Sequence, residues 1–432
     1  MLQRFLAQTT ATAVAVMARR EHHRSRSNPA PVIAVAALLL FGAMTHPAAG
    51  GGALLVSGDE PTAAATPPAA AFAADPADPP ASAPVTNRPG RRYLDAPPAP
   101  FQVGLIEQIE LPDPRRDNAT TRYLVRYPAN APEDDPCPLV VFSHGAGGSG
   151  NSFSELSEHW AGHGYVVIHP THSDSIRLRR ERGERVEDLS RDLASVVRRV
   201  RISDRCADVR LILDSLDRIE TAIADDRAAE PGGDQARRAP EDGRGAAGDP
   251  LRLRIDPKRI AMAGHSAGAM TTQSLAGVRF HAFGRAAAPF AEPRISAFIV
   301  ISGQGLSSRG FRRDSWSQIR RPMLVIAGSE DRSAVSDETP EGRRHPYEFA
   351  APGDKYLIYI DGATHGSYAG KTVVRVLGEK PPQNIDYITS LVADSTLAFL
   401  DCYVRERRPG CNYLGADDME RRPGGKVEVR RK

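Results

Sequence analysis

The chain has 432 residues, of which 41% are hydrophobic and 25% are charged, and its formal net charge at pH 7 is +3. This hydrophobic content is enough for a large core, and a large α/β sheet often uses roughly 250 or more residues as one unit. A net charge of +3 is small for this length, so the composition gives no electrostatic argument for binding nucleic acid.

The first 50 residues have the arrangement of a secretory signal. A basic stretch, Arg19–Arg26, precedes the apolar run Pro31–Met44, and the small residues Ala48–Gly52 follow. The apolar run has 14 residues, whereas a membrane span needs about 20. We therefore predict a cleaved signal peptide and an exported protein, which is periplasmic, secreted or in the cell envelope. An uncleaved run would instead act as an N-terminal membrane anchor, and the long basic region makes Met17 an alternative start.

Composition divides the remainder of the chain. Residues 51–100 are dominated by Ala, Pro, Gly and Ser. Such a segment buries too little apolar area to offset the entropy of ordering, which predicts a flexible linker. Globular patterning extends over residues 101–404, and residues 226–250, rich in Ala, Gly, Asp, Arg and Pro, interrupt it as a predicted disordered insertion. Residues 405–432 form a basic C-terminal tail that we expect to be only partly ordered.

Within residues 101–404, short apolar runs alternate with helical patterns. Runs of nearly continuous Val and Ile are typical of strands that are covered on both faces. The predicted fold class is therefore α/β, with a mostly parallel, doubly wound sheet and helices on both faces. The predicted strands are, in chain order, 121–127, 138–142, 165–169, 260–263, 297–302, 323–327 and 355–360. The predicted helices include 153–163, a long stretch from about 189 to 223, 267–275 and 385–405.

The chain contains four cysteines, Cys137, Cys206, Cys402 and Cys411. Four cysteines in an exported protein allow up to two disulfides and three pairings. Cys402 and Cys411 are close in the sequence, so we predict a bridge between them, with Cys137 and Cys206 as a second pair. The alternative is four buried thiols, because free cysteine behaves as a small hydrophobic residue.

Residues Gly264–Gly268 have the sequence Gly-His-Ser-Ala-Gly and place Ser266 between a predicted strand and a predicted helix. The Gly-x-Ser-x-Gly pattern also occurs by chance. In this context, however, it forms a sharp strand-to-helix turn that exposes the serine hydroxyl. The first N–H groups of the helix point at the same place. We therefore predict that Ser266 is a nucleophile; a glycine-rich structural turn is the alternative.

A serine nucleophile needs a base, and the base needs an acid that orients it. In this architecture the acid and the base follow the serine in that order, each in a loop after a later strand. Glu330 and Asp331 follow the sixth predicted strand, and Asp361 and His365 follow the seventh. We predict Asp331 as the acid, with Glu330 as its competitor, and His365 as the base. Asp361 is interpreted as a turn residue before a glycine.

A glycine-rich loop that begins at His144 follows the second predicted strand. Backbone N–H groups in such a loop are able to receive the oxyanion of a tetrahedral intermediate. One such donor contributes roughly 3–4 kcal/mol to stabilisation of the transition state. We therefore predict an oxyanion hole here, and a flexible turn is the alternative for the loop by itself.

Other polar segments are given no catalytic role. His169 and His172 lack further candidate ligands, so we assign them to a pocket wall or loop rather than to a metal site. The mixed-charge run Arg177–Arg185 is typical of a solvated face. Residues 174–225 and Phe280–Pro293 are expected to overhang the site and to select substrates.

The chain resembles the α/β-hydrolase superfamily of proteins. Within it, the resemblance is to a branch of serine esterases that includes dienelactone hydrolases, platelet-activating-factor acetylhydrolases and relatives of bacterial polyester hydrolases. The stretches that carry the resemblance are Val140–Gly147, His159–Val166 and Asp256–Gly268, and it extends over about residues 101–404.

Two departures from the family pattern favour a general carboxylic-ester hydrolase. The nucleophile is Ser rather than the Cys of dienelactone hydrolases. In addition, the strand that ends at Val300–Gln304 lacks the carboxylate that some acetylhydrolases carry there.

The resemblance implies Ser266 as nucleophile, Asp331 as acid and His365 as base, with the N–H groups of Ala146 and Ala267 as oxyanion donors. Together with the signal sequence, it implies an exported serine hydrolase that cleaves a small-molecule or lipid-like carboxylic ester through an acyl-enzyme, without a metal or organic cofactor. A peptidase or thioesterase would use the same triad. A non-catalytic module that binds a ligand is the alternative from another class, although the intact Ser, Asp and His argue against it.

Overall fold

The computed structural model describes residues 89–93, 99–132, 135–186, 189–229, 253–282, 285–306 and 310–432. The predicted signal peptide or anchor, most of the predicted linker and residues 230–250 of the predicted insertion lie outside these ranges. Residues 226–229, which we also assigned to the insertion, form the end of a helix. Among the described residues, no helix is both long enough and apolar enough to cross a membrane.

A mixed sheet of nine strands forms the centre of the described part of the chain, beside a separate two-stranded hairpin. The strands are β1 (Val103–Asp113), β2 (Ala119–Pro128), β3 (Cys137–Ser143), β4 (Val166–Thr171), β5 (Ile255–His265), β6 (Phe280–Ala282), β7 (Arg285–Ala287), β8 (Ala297–Ile301), β9 (Met323–Glu330), β10 (Lys355–Thr364) and β11 (Val427–Arg431). The order in the large sheet is β1-β2-β4-β3-β5-β8-β9-β10-β11. In this sheet, the neighbouring strands β4, β3, β5, β8, β9 and β10 pair in parallel. The pairs β1–β2, β2–β4 and β10–β11 are antiparallel. The carboxyl ends of the parallel strands therefore meet at one edge, which is where such sheets place ligands.

Helices cover both faces of this sheet. They are α1 (Ser154–Gly162), α2 (Ile176–Glu181), α3 (Leu189–Arg198), α4 (Ile202–Leu213), α5 (Leu216–Ala229), α6 (Ala267–Leu275), α7 (His345–Glu348), α8 (Lys371–Val376), α9 (Ile385–Tyr403) and α10 (Arg408–Gly415). Side chains of α4, α5 and α6 belong to one hydrophobic core, and those of α1, α9 and α10 belong to a second.

The two cores lie on opposite faces of the sheet, and β3 contributes to both. Successive side chains of a strand point to opposite faces. Leu139 and Val141 lie in the first core, whereas Val140 and Phe142 lie in the second. All four side chains are fully buried. The α/β class with a mostly parallel, doubly wound sheet is thereby confirmed.

All seven predicted strands are present, but the edge strands β1 and β11 were not predicted. Both carry alternating or clustered polar side chains and have only one strand neighbour. They therefore lack the continuous apolar runs from which the central strands were predicted.

The long helix predicted for residues 189–223 is divided into α3, α4 and part of α5. Arg201 has an extended backbone (φ −107°, ψ 107°) before α4, and the chain turns again at Asp214. Hydrophobic periodicity continues through both turns, so the sequence pattern alone does not separate the three helices.

The C-terminal tail, which we expected to be only partly ordered, continues the fold. Helix α10 is joined to α9 by a disulfide between Cys402 and Cys411, whose Cα atoms lie 4.8 Å apart. Strand β11 pairs with β10 along the edge of the sheet, and Lys355 and Lys432 exchange backbone hydrogen bonds of 2.9 and 3.0 Å. Arg430 and Arg431 lie on this edge strand, where charge is compatible with an ordered structure.

The predicted bridge between Cys402 and Cys411 is confirmed, but the second pair was wrong. Cys137 and Cys206 are both free thiols and both buried. Burial raises the pKa of Cys137 to about 11 and that of Cys206 to about 12, so both stay protonated at neutral pH. They act as small apolar residues of the first core.

Candidate active site

Ser266 lies in a sharp turn between β5 and α6. Its backbone has φ 56° and ψ −115°, a combination that costs free energy for a residue with a side chain. The flanking glycines make the turn possible, since a Cβ on Gly264 would lie 2.3 Å from the carbonyl oxygen of Gly268. A Cβ on Gly268 would lie 1.8 Å from the carbonyl oxygen of Ser143. The Gly-x-Ser-x-Gly pattern therefore meets a steric requirement of this strand-to-helix turn.

His365 lies next to Ser266, at the carboxyl end of β10. Its Nε2 is 2.9 Å from Ser266 Oγ, and its Nδ1 is 2.9 Å from Oδ1 of Asp331, the residue that follows β9. The structure thus brings together the three residues predicted from the sequence, although they are separated by up to 99 positions along the chain. The arrangement is that of a base with a nucleophile on one ring nitrogen and an orienting acid on the other.

Asp331 is fully buried and receives several hydrogen bonds. Ser302 Oγ and Tyr368 Oη each donate to it at 2.9 Å, in addition to His365, and the Arg343 guanidinium lies 3.4 Å away. Burial raises the pKa of this carboxyl group, but the charge of Arg343 and the hydrogen bonds outweigh it and hold the pKa well below its ordinary value. Asp331 is therefore ionised at neutral pH.

The two other acids considered in the sequence do not reach the histidine ring. Glu330 is exposed at the end of β9. Asp361 is also exposed and accepts a hydrogen bond from Ser329 Oγ at 3.0 Å. Neighbouring residues of an extended chain point in opposite directions, so only one member of the pair Glu330 and Asp331 can face His365.

His265, the residue before Ser266, holds the backbone of His365 in place. Its Nε2 donates to the backbone carbonyl oxygen of His365 over 2.7 Å. Burial and the neighbouring His365 lower the pKa of His265 to about 3, so the ring is neutral. A neutral ring with the proton on Nε2 is the form that can donate this hydrogen bond.

The glycine-rich loop after β3 lies against Ser266. A Cβ added to Gly145 would be 3.6 Å from Ser266 Cβ. Ala146 and Ala267 both line the cavity that contains Ser266 and His365. Within the part of the chain that the structure describes, the N–H groups of Ala146 and Ala267 have no hydrogen-bond partner. Both predicted oxyanion donors are therefore free to donate a hydrogen bond to a ligand atom beside the serine.

This cavity has a volume of about 450 Å³ and is mainly apolar. Of the two segments expected to overhang it, residues 174–225 contribute lining residues from α2 to α4, whereas the described part of Phe280–Pro293 does not line it. Apolar side chains come from α3, α4, α6 and α8 and the loops beside them: Leu193, Val197, Val200, Ile202, Met270, Val373, Val376 and Leu377. A substrate with an apolar portion fits this lining.

Residues 124–405 match the family described as platelet-activating factor acetylhydrolase, isoform II. This match covers well over half of the chain. The protein belongs to this family. No curated protein matches the chain significantly. The family comprises hydrolases of ester bonds, and the match agrees with the α/β-hydrolase-type sheet described above.

In this member of the acetylhydrolase family, three residues beside the acid were not predicted from the sequence. Ser302 lies in the loop after β8, whereas Arg343 and Tyr368 each lie in a short 3-10 helix. Of these three residues, only Ser302 could have been identified from the sequence. It lies at the carboxyl end of β8, where the family resemblance places an acid in some relatives. Its backbone has φ 52°, which turns the side chain toward both Asp331 and His365 at 2.9 and 2.8 Å.

His169 and His172, assigned above to a pocket wall or loop, are fully buried and do not line the cavity. His172 Nδ1 lies 2.7 Å from Asp208 Oδ2, and its Nε2 lies 2.8 Å from Ser143 Oγ. No cluster of three potential metal ligands occurs in the described residues. His172 instead joins a polar network beneath the glycine-rich loop.

Proposed function

We propose that this protein is an exported serine hydrolase that cleaves a carboxylic ester through an acyl-enzyme. The observation that carries the proposal is the continuous chain of contacts from Ser266 Oγ through the His365 ring to the buried Asp331 carboxylate. Membership of a family of ester hydrolases supports the bond type. The mainly apolar cavity supports a small-molecule or lipid-like ester as substrate.

In the acylation step, Ser266 Oγ attacks the carbonyl carbon of the ester while His365 Nε2 takes the hydroxyl proton. His365 Nδ1–H points at Asp331, which fixes the tautomer with a free lone pair on Nε2. The imidazolium that forms is stabilised by the Asp331 carboxylate. The same histidine then gives the proton to the departing alcohol oxygen.

The tetrahedral intermediate carries a negative oxygen, for which we propose the N–H groups of Ala146 and Ala267 as donors. Ala267 is the first residue of α6, so the positive end of the helix adds to its effect. Loss of one such donor typically lowers kcat by about 10²- to 10³-fold. A water molecule activated by His365 then attacks the acyl-enzyme and releases the acid.

The first experiment measures turnover of p-nitrophenyl esters of increasing acyl length by the wild-type protein and by Ser266→Ala. We expect the variant to lose almost all activity and to lose labelling by a fluorophosphonate probe. Ser317→Ala is a matched control, since Ser317 Oγ only donates to the carbonyl oxygen of Asp314 at 2.7 Å. Equal rates for the wild type and Ser266→Ala would refute the catalytic assignment. Thioester and peptide substrates in the same assay separate esterase from thioesterase and peptidase.

Export is a separate part of the proposal. The disulfide between Cys402 and Cys411 agrees with an oxidising compartment. Sequencing the N-terminus of the mature protein tests it, and an N-terminus before residue 30 would contradict cleavage of a signal peptide.

A further inference from the structure

A buried ion pair lies directly behind the glycine-rich loop and away from the catalytic residues. It consists of Asp174, in the loop after β4, and Arg205, on α4, and each side chain is 1% exposed. An ion pair removed from water in this way loses much solvation energy, and good geometry with further hydrogen bonds must compensate for it. The additional partners of this pair are mainly backbone atoms of the loop that carries Ala146.

The Arg205 guanidinium donates hydrogen bonds in two directions, toward Asp174 and toward the glycine-rich loop. Toward Asp174 it forms two parallel hydrogen bonds, from Nε to Oδ1 at 2.9 Å and from Nη2 to Oδ2 at 2.8 Å. Toward the loop, Nη1 donates to the carbonyl oxygen of His144 at 2.7 Å and Nη2 donates to that of Gly145 at 3.3 Å. Nη1 also lies 3.3 Å from Ser143 Oγ. Arg205 therefore binds two consecutive carbonyl groups at the start of the loop.

These carbonyl contacts, together with the Gly148 N–H, which donates to the Gly145 oxygen at 3.2 Å, set the direction in which the N–H of Ala146 points. The carbonyl group of Gly145 and the N–H of Ala146 belong to the same peptide group. Every peptide bond in the described residues is trans, so the two groups point in opposite directions from one rigid plane. When Arg205 holds the Gly145 oxygen on the inner side, the Ala146 N–H is directed outward to the cavity that contains Ser266.

Two further contacts hold this peptide group and the one that follows it. Asp174 Oδ2 accepts a hydrogen bond from the N–H of Gly147 at 3.0 Å, which holds the next peptide group. His144 Nε2 accepts from the N–H of His172 at 3.1 Å, so the proton of this ring lies on Nδ1, which donates to the Gly145 oxygen at 2.6 Å. Burial and the Arg205 charge hold the pKa of His144 well below its ordinary value, and the ring is neutral.

The network continues into the core and anchors the loop to α4. His172 connects Ser143, at the end of β3, to Asp208, one turn after Arg205 on the same helix. All of these side chains are buried. The helix that carries Arg205 therefore has a fixed position relative to the strand from which the loop departs.

We infer that Arg205, held by Asp174, is a positioning residue that orients the Ala146 N–H for the oxyanion. This inference rests on the proposed esterase function. Arg205 does not line the cavity that contains Ser266 and acts through the loop backbone. Its effect should therefore appear in the transition state, where the oxyanion exists, and hardly at all in binding of the neutral ester.

Arg205→Lys tests this role, because lysine keeps the charge but lacks the planar fork that binds Asp174 and two carbonyl groups together. We expect kcat for a p-nitrophenyl ester to fall about 10- to 100-fold, as for a misplaced oxyanion donor, with KM unchanged within about 3-fold. An alkyl boronic acid, which forms a tetrahedral adduct with the serine, should bind more weakly by the same factor as kcat/KM falls. Asp174→Glu, which keeps both charges but moves the carboxylate by one methylene, should give the same pattern and serves if Arg205→Lys does not fold.

The matched control is Arg422→Lys. Arg422 forms a similar buried pair with Asp394, at 2.8 Å, and neither residue lines the cavity that contains Ser266. We expect it to lower the melting temperature without changing kcat or boronate affinity in the folded protein. If Arg205→Lys keeps wild-type kcat and boronate affinity while the wild type is an active esterase, the positioning role alone is refuted. A wild-type protein without esterase activity would overturn both proposals, because the positioning role is defined for that reaction.

Discussion

Replacing Asp331 by Asn tests how strongly the site depends on a buried negative charge. The Asp331 carboxylate receives donors on both oxygens, from Ser302 and His365 on Oδ1 and from Tyr368 on Oδ2. The asparagine side chain has one carbonyl oxygen and one NH₂ group. In either orientation of its amide, the NH₂ group faces hydrogen-bond donors, either Ser302 and His365 or Tyr368, and cannot accept from them. The variant also leaves the Arg343 guanidinium, which is 2% exposed, without its counter-charge.

Two effects of Asp331→Asn can be estimated from these contacts. Removing one partner of a buried pair lowers the free energy of unfolding by about 3–5 kcal/mol. The histidine also loses the acceptor that fixes its tautomer, and kcat falls by about 10⁴-fold in triads of this kind.

The same variant changes how stability depends on pH. Since the folded state holds the pKa of Asp331 below its ordinary value, the carboxylate stabilises the fold above about pH 4 and this stabilisation is lost on acidification. The variant should therefore show a shallower loss of stability between about pH 5 and pH 3.

The assay combines kcat on a p-nitrophenyl ester with urea unfolding at several pH values. Asp394→Asn is the control, because Asp394 is a buried acid paired with Arg92 and Arg422 and lies outside the catalytic contacts. It should destabilise the fold but leave kcat of the folded protein unchanged. A kcat for Asp331→Asn within 3-fold of wild type, in folded protein, would refute the assignment of Asp331 as the acid.

Three further predictions follow from single contacts. Ser302→Ala removes one donor to the ionised acid and should lower kcat by about 10-fold, consistent with about 1.5–3 kcal/mol for a hydrogen bond to a charged group; unchanged steady-state kinetics would contradict this. Gly268→Ala places a Cβ 1.8 Å from the carbonyl oxygen of Ser143, so we expect loss of fluorophosphonate labelling or of soluble protein, and a fully labelled variant would argue against the steric reason. Cys402→Ala with Cys411→Ala opens a loop with a sequence separation of 9 and should lower the unfolding free energy by about 2–3 kcal/mol in urea titrations, whereas equal midpoints would show that the bridge adds no stability.

The sequence was sufficient for the features that depend on local pattern. Apolar runs identified the seven predicted strands, and they are clearest in β3, β4, β8 and β9, which are buried at nearly every position, since strands covered on both faces need apolar side chains on both. The glycines around Ser266 marked the sharp turn, because each of them faces backbone atoms too close for a Cβ. The order of loops after these strands then indicated Asp331 and His365, which the parallel sheet brings to one edge.

Only the tertiary structure determined the contacts that hold these groups in place. Ser302 and Arg343 reach Asp331 from separate segments of the chain, and Arg205 reaches the glycine-rich loop from a helix 60 positions away. Strand β11 has a charged sequence and becomes a strand because β10 offers it an unpaired edge. Backbone propensity and hydrophobic periodicity report only on residues that are near one another in the sequence. These contacts depend instead on which distant segments the sheet and its helices bring within hydrogen-bonding distance.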